Sequence, residues 1–143
     1  MTNTMQSISG HDRKYWLGWV MSGLAIAFLL MDSTMKLMAL PIVLEASGPL
    51  GFAGVEMARG LGTLLLVCTL LYVAPQTSVL GAILLTGYLG GAVATHVRVG
   101  SPLFTHILFG VYLGALLWGG LYLRDARLRA LIPIRAARNG ISD

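Results

Sequence analysis

Four long apolar runs dominate the chain, separated by short breaks. The first spans about residues 15–40 and is interrupted only by Asp32 and Lys36. The others span about 57–74, 78–97 and 103–123. A bilayer core takes roughly 20 helical residues at about 1.5 Å of rise each, and each run is of that order. The runs are continuous rather than alternating, so they do not read as barrel strands, and helices satisfy their own backbone in lipid. Pro41 is expected to close the first helix, and Gly48-Pro49-Leu50-Gly51 to keep the following stretch a loop. Pro75 closes the second helix, with Ser78 as a candidate cap for the third. Gly100-Ser101-Pro102 separates the third from the fourth. Short connections make consecutive helices antiparallel neighbours. The expected fold class is all-α: a four-transmembrane-helix bundle, up-down-up-down. Residues 1–14 and 124–143 form its tails, and residues 15–123 form the membrane domain.

Composition removes the alternatives. Of 143 residues, 56% are hydrophobic and 11% charged. A soluble domain carries about 25% charge, so this chain lacks the polar surface to coat one. A disordered chain and a coiled coil are excluded on the same ground. Arg13-Lys14 before an apolar run resembles a signal peptide, but the run is long and no clear cleavage site ends it, so a retained helix is expected. The single cysteine, Cys68, lies inside an apolar run and excludes an internal disulfide or a CxxC site.

Charge placement predicts topology. Arg13 and Lys14 precede the first run, and Arg124, Arg127, Arg129, Arg135 and Arg138 follow the last. Four helices return both termini to one side, and the positive-inside rule makes that side cytoplasmic. The expected location is the inner membrane, multi-pass, with the lipid bilayer as the first partner. The basic tail reads as an orienting and headgroup-binding element rather than a nucleic-acid site. Tyr15, Trp16, Trp19, Trp118 and Tyr122 are expected at the same boundary.

Apart from the two flanks, the ionisable residues near the spans converge on the opposite end. Asp32 and Lys36 close the first helix, Glu56 and Arg59 open the second, His96 and Arg98 end the third, and His106 begins the fourth. Asp32–Lys36 and Glu56–Arg59 are spaced to form ion pairs on one helix face. Charged groups in a membrane usually face the bundle interior or a wet cavity. The candidate is an outward polar pocket of Lys36, Glu56, Arg59, His96, Arg98 and His106. The alternative is that the same groups anchor in headgroups. The hydroxyl of Tyr88, mid-span in the third helix, needs a partner. A neighbouring backbone carbonyl is the expected one, and the floor of the pocket is the alternative. Met31, Met35 and Met38 lie near the two histidines, but no metal-ligand spacing is present and no metal is expected.

Small residues form a further pattern: Gly54, Ala58 and Gly62; Thr86, Gly90 and Ala94 beside Gly87, Gly91 and Thr95; Gly110 and Gly114. Such rows let helix backbones approach closely. The third helix, with two rows, is expected to contact two neighbours. Use of a row in a homo-oligomer is the alternative.

The stretch from Leu80 to Pro102, LGAILLTGYLGGAVATHVRVGSP, resembles the signature of the DoxX-like family of small bacterial membrane proteins. Lys36-Leu37 and Glu56, the chain length and the four-helix layout are similar as well. Asp32-Ser33-Thr34 departs from the small Ser-Gly type stretch expected there. The resemblance makes Lys36, Glu56, His96 and Arg98 the family-type positions. It also implies an accessory role. The namesake relatives are membrane subunits of thiosulfate:quinone oxidoreductase, and others partner redox enzymes. The expected function is therefore an accessory or quinone-associated component of a membrane oxidoreductase system, with a membrane or periplasmic redox partner protein. No haem or iron–sulfur ligand set is visible in the sequence, so electrons would come from that partner. A non-enzymatic transporter component or assembly protein is the second reading. A stand-alone membrane enzyme using Glu56 and His96 as acid and base is the third.

Overall fold

The computed structural model describes residues 3–131, with side chains from Asp12 onward. Six α-helices follow in order: α1 (Asn3–Leu37), α2 (Pro41–Ser47), α3 (Val55–Val73), α4 (Ser78–Arg98), α5 (Leu108–Arg124) and α6 (Ala126–Leu131). A π-helical turn, Leu103–Ile107, leads directly into α5. Four segments are long and apolar enough to cross a membrane: Asp12–Leu37, Val55–Val73, Ser78–Arg98 and Leu103–Arg124. They pack in a ring, α1 against α3, α3 against α4, α4 against α5, and α5 back against α1. Each is antiparallel to the next, which is the up-down-up-down bundle read from the apolar runs.

The ends of the elements differ from the pattern-based expectation. α1 starts at Asn3 rather than near Tyr15, and it ends at Leu37 rather than near Leu40. Its end is set by backbone bonds. Ala39 N–H reaches the Lys36 carbonyl and Leu40 N–H reaches the Met35 carbonyl, with Ala39 left-handed at φ 49°. This paired closure satisfies the last carbonyls of the helix and usually employs glycine. Leu40, ahead of Pro41, is extended at ψ 143°, as a residue before proline prefers. Pro41 therefore does not merely end a helix. It starts α2, in the first turn, where its missing N–H costs nothing. The expected loop after Pro41 is thus a short helix followed by a turn. The same closure, with glycine in the left-handed position, recurs at Gly51 and Gly100. Ser78 does not cap α4. It is the first helical residue, buried, and its hydroxyl donates to the Pro75 carbonyl at 3.3 Å.

Leu29, Leu65, Leu85, Leu117 and Leu121 form the centre of the core, with Tyr72 fully buried among them. Glycines mark where the helices cross. A Cβ on Gly62 of α3 would meet Lys36 Cβ at 2.8 Å and the Ser33 carbonyl at 3.1 Å. On Gly120 of α5 it would meet the Gly18 carbonyl at 2.8 Å, and on Gly110 it would meet Val93 of α4 at 2.7 Å. The two small-residue rows of α4 behave differently. Added Cβ atoms on Gly87, Gly90 and Gly91 meet nothing within 4 Å, and the same holds for Gly114. α4 does contact two neighbours, α3 and α5, but Gly87, Gly90 and Gly91 are not where it meets them. α4 meets α5 through Leu89 and Val93, and through Thr86 of one small-residue row, while the glycines of the rows border open space.

The end bearing the termini is sealed by side chains. Ser22 donates to the Tyr72 hydroxyl at 2.9 Å, and Tyr72 donates to the Leu117 carbonyl at 2.8 Å, joining three helices. The Arg124 guanidinium lies over the Trp19 ring at 4.5 Å and the Tyr72 ring at 5.3 Å. Such stacking offsets part of the cost of withdrawing a cation from water. Arg129 of α6 donates to the Tyr122 and Leu123 carbonyls, closing the end of α5. Trp118 points its indole N–H to Thr86 Oγ1 at 2.8 Å, so part of its anchoring lies within the bundle. Arg135 and Arg138, counted in the basic tail, lie outside the described residues.

Candidate functional site

At the end away from the termini the helices line a cavity of about 940 Å³. A pocket for a drug-sized or cofactor-sized ligand usually measures about 300–1,000 Å³. One wall comes from α1 through Phe28, Asp32, Met35 and Lys36. A second comes from α4 through Tyr88, Ala92, Thr95 and His96, with the backbone at Gly87 and Gly91. His106, Phe109 and Leu113 supply the third, and α2 with the turn after it covers the site through Val43, Ser47, Leu50 and Phe52. Phe28 and Phe109 meet edge-to-face across α1 and α5, with ring centroids 4.9 Å apart. The lining is mostly apolar, with polar groups placed at a few points.

Lys36 and Asp32 are one turn apart on α1, and Lys36 Nζ pairs with Asp32 Oδ1. The two side chains are 18% and 30% exposed. The ion pair anticipated from the spacing is formed, and its partial burial in an apolar wall leaves it less screened by solvent and salt than an exposed pair. Across the cavity, the His96 and His106 rings meet edge-to-face at 5.4 Å. His96 Nδ1 bonds Ser101 Oγ at 2.9 Å, and His106 Nδ1 bonds Thr105 Oγ1 at 2.8 Å. The left-handed Gly100 brings Ser101 back to His96, and the π turn after Pro102 sets His106 at the cavity with Thr105 beside it on the exposed side. With Nδ1 held, each ring leaves Nε2 without a protein partner among the described residues. A π turn inserted in an α-helix is often found at functional sites.

Tyr88 differs from expectation. Its hydroxyl makes no hydrogen bond to a described residue, and the side chain lines the cavity rather than bonding a backbone carbonyl.

Three of the sequence candidates stand outside this space. Glu56 and Arg59 form an ion pair at 3.9 Å on α3, with 93% and 54% of their side chains exposed. Neither lines the cavity, because α3 presents Leu61 to it and turns Glu56 away. An acid–base pair of Glu56 with His96 therefore has no geometric basis here. Arg98 also points away from the cavity. Its Nη2 donates to the Leu50 carbonyl at 2.7 Å, in the turn after α2. The residues that pattern reading missed are Phe28, Phe109 and the covering segment. A hint existed in Ile42-Val43-Leu44 behind a proline, an apolar turn too short to span a membrane. No group of three or more His, Cys, Asp or Glu with metal-binding geometry occurs among the described residues.

The class defined so far is a four-span helical membrane protein with a part-polar cavity at one end of the bundle. The chain belongs to the DoxX-like family, whose model matches residues 20–120. That range covers the second and third spans whole, most of the first and fourth, and every residue that lines the cavity. Searches of curated proteins and of solved structures return no match.

Proposed function

We propose that this chain is an accessory subunit of a membrane oxidoreductase system and that its cavity holds the ring of a quinone. The supporting observation is the composition of the cavity wall. An apolar space of about 940 Å³ offers Lys36, Tyr88, His96 and His106 to a flat, lipid-soluble ligand with two carbonyl oxygens. Carbonyl oxygens only accept hydrogen bonds, and the ammonium, the phenol and an imidazole N–H all donate. Lys36 is held by Asp32 and His96 by Ser101, so neither pays the full cost of ordering when the ring arrives. Phe28, Met35 and Phe109 supply the apolar faces. Electrons would come from a partner protein, and His106 is positioned to exchange protons at the mouth. Membership in the DoxX-like family favours this reading over a transporter component or assembly factor. In this reading the bilayer is the cytoplasmic membrane with both termini inside, which the basic flanks support.

The test is titration of the purified protein in lipid nanodiscs with a decyl benzoquinone, read by quenching of tryptophan fluorescence. Binding is expected, weakened about tenfold by His96→Ala or Lys36→Ala, the equivalent of one good hydrogen bond to a charged or aligned donor. A wild-type protein that binds no quinone and retains no redox partner on purification refutes the proposal. For orientation, a C-terminal reporter active only outside the cytoplasm refutes the topology.

A further inference from the structure

The segment from residue 39 to 54 is built differently from the spans around it. It contains α2 and a turn, and its inner side forms a wall of the cavity through Val43, Ser47, Leu50 and Phe52. Its backbone bonds are internal or to the adjoining ends of α1 and α3: Val43 and Leu44 to Leu40, Gly51 to Gly48, Phe52 to Ser47. Among the described residues, one hydrogen bond ties it to a distant helix. That bond runs from Arg98 Nη2 to the Leu50 carbonyl. Left-handed residues stand at both ends, Ala39 at φ 49° and Gly54 at φ 101°, with Gly51 at φ 87° beside the tie. Gly51 lies so close that an added Cβ would meet Arg98 Nη2 at 3.1 Å, whereas one on Gly54 would meet nothing within 4 Å. A short covering element with compact joints and a single remote tether has the construction of a lid.

We infer that residues 39–54 form a hinged lid over the cavity and that Arg98 is its latch. The inference rests on the cavity described above as a ligand site, but not on the ligand being a quinone. It also accounts for Arg98, a cation on the rim that the cavity itself does not use. The planar guanidinium suits the task, since it keeps its charge and aims its donors in fixed directions at a carbonyl. When the bond breaks, the lid swings about Ala39 and Gly54, and the polar wall of Lys36, Tyr88 and His96 opens to the aqueous side. A ligand that covers the cavity from within keeps the lid closed.

The test measures access without any ligand. In a Cys68→Ala background, Ala92→Cys places a thiol on the cavity wall, and a sulfonated maleimide reports its exposure in nanodiscs. Slow labelling is expected with Arg98 present. Arg98→Ala should speed it at least about fivefold, and Arg98→Lys less, because a hydrogen bond from a charged donor is worth that much or more in equilibrium opening. Gly54→Ala should also speed labelling without removing any bond, because a side chain disfavours the closed joint. Hydrogen–deuterium exchange on the Arg98→Ala protein should rise over residues 39–54 ahead of the four spans. Equal labelling rates with and without Arg98, or exchange over 39–54 that does not outpace the spans, overturns the inference. A protein that shows the gated labelling but no quinone binding keeps the lid and loses the proposed ligand. Quinone binding with ungated labelling does the reverse.

Discussion

Replacing Gly62 by alanine tests the central crossing of the bundle. Gly62 lies on α3 directly against the end of α1 that carries the Asp32–Lys36 pair. Its new Cβ would stand 2.8 Å from Lys36 Cβ, 3.0 Å from Leu37 N and 3.1 Å from the Ser33 carbonyl oxygen. Two of those neighbours are backbone, so no side chain can swing aside to relieve them. Ordinary contact begins near 3.4 Å, and α1 and α3 must separate by roughly half an ångström. Overpacking of this kind costs about 1–3 kcal/mol. Alanine regains about 0.5–1 kcal/mol through its better helix propensity. The net expectation is a loss of about 1–2 kcal/mol. Gly91→Ala is the matched control. It sits in α4, and its Cβ meets nothing within 4 Å, so only the propensity gain remains and stability should rise slightly. Both variants are compared by thermal unfolding in the same detergent, followed by circular dichroism. Because α1 moves at Lys36, Gly62→Ala should also weaken quinone binding while Gly91→Ala leaves the fold intact. Equal stability changes at the two glycines would refute the reasoning, since it assigns them opposite signs from contact geometry alone.

Other expectations follow from single contacts. Tyr72→Phe removes the hydroxyl that joins Ser22 to the Leu117 carbonyl, and unfolding should show a loss of about 1–2 kcal/mol, near two interhelical hydrogen bonds in a membrane protein. Ser22→Ala should cost less than Tyr72→Phe, because the bond from Tyr72 to Leu117 survives. Glu56→Gln should leave quinone affinity within about twofold of wild type, since one exposed charge outside the cavity contributes little. Asp125→Ala removes the acceptor for the Arg127 and Leu128 amides at the start of α6. Amide exchange in α6 should accelerate by the loss of about 1 kcal/mol of capping, with the melting of the four spans unchanged.

The amount of this molecule legible in its sequence varies by level. The number of spans, their order and their antiparallel arrangement follow from continuous apolar runs and short connections, because in lipid the backbone must satisfy itself within each helix. The gathering of Asp32, Lys36, His96 and His106 at one end follows from counting residues along those helices. Helix ends were less legible. Ala39 serves in a left-handed closure that normally signals itself as glycine, so α1 stops early without an obvious marker. The seven residues of α2 have too little apolar length to register as a helix beside four spans.

Which ionisable groups share a cavity was decided by rotation about the helix axes. Asp32, Lys36 and His96 turn inward, while Glu56 turns outward on α3 with nothing in its local sequence to show it. The glycines make the same point: Gly62 and Gly91 look alike in a row of small residues, yet one fills a crossing and the other borders open space. Arg98 reads as a pocket residue beside His96, but the turn after α2 lies within reach and takes its guanidinium. Periodicity and composition record what each residue prefers to be near. The neighbour itself comes from another helix, at a crossing angle and register that only the packed bundle defines. For this protein the sequence alone determined the membrane, the four spans and the end that carries the polar groups. The tertiary structure decided the cavity, its covering segment and the separation of Lys36, His96 and Tyr88 from Glu56, Arg59 and Arg98.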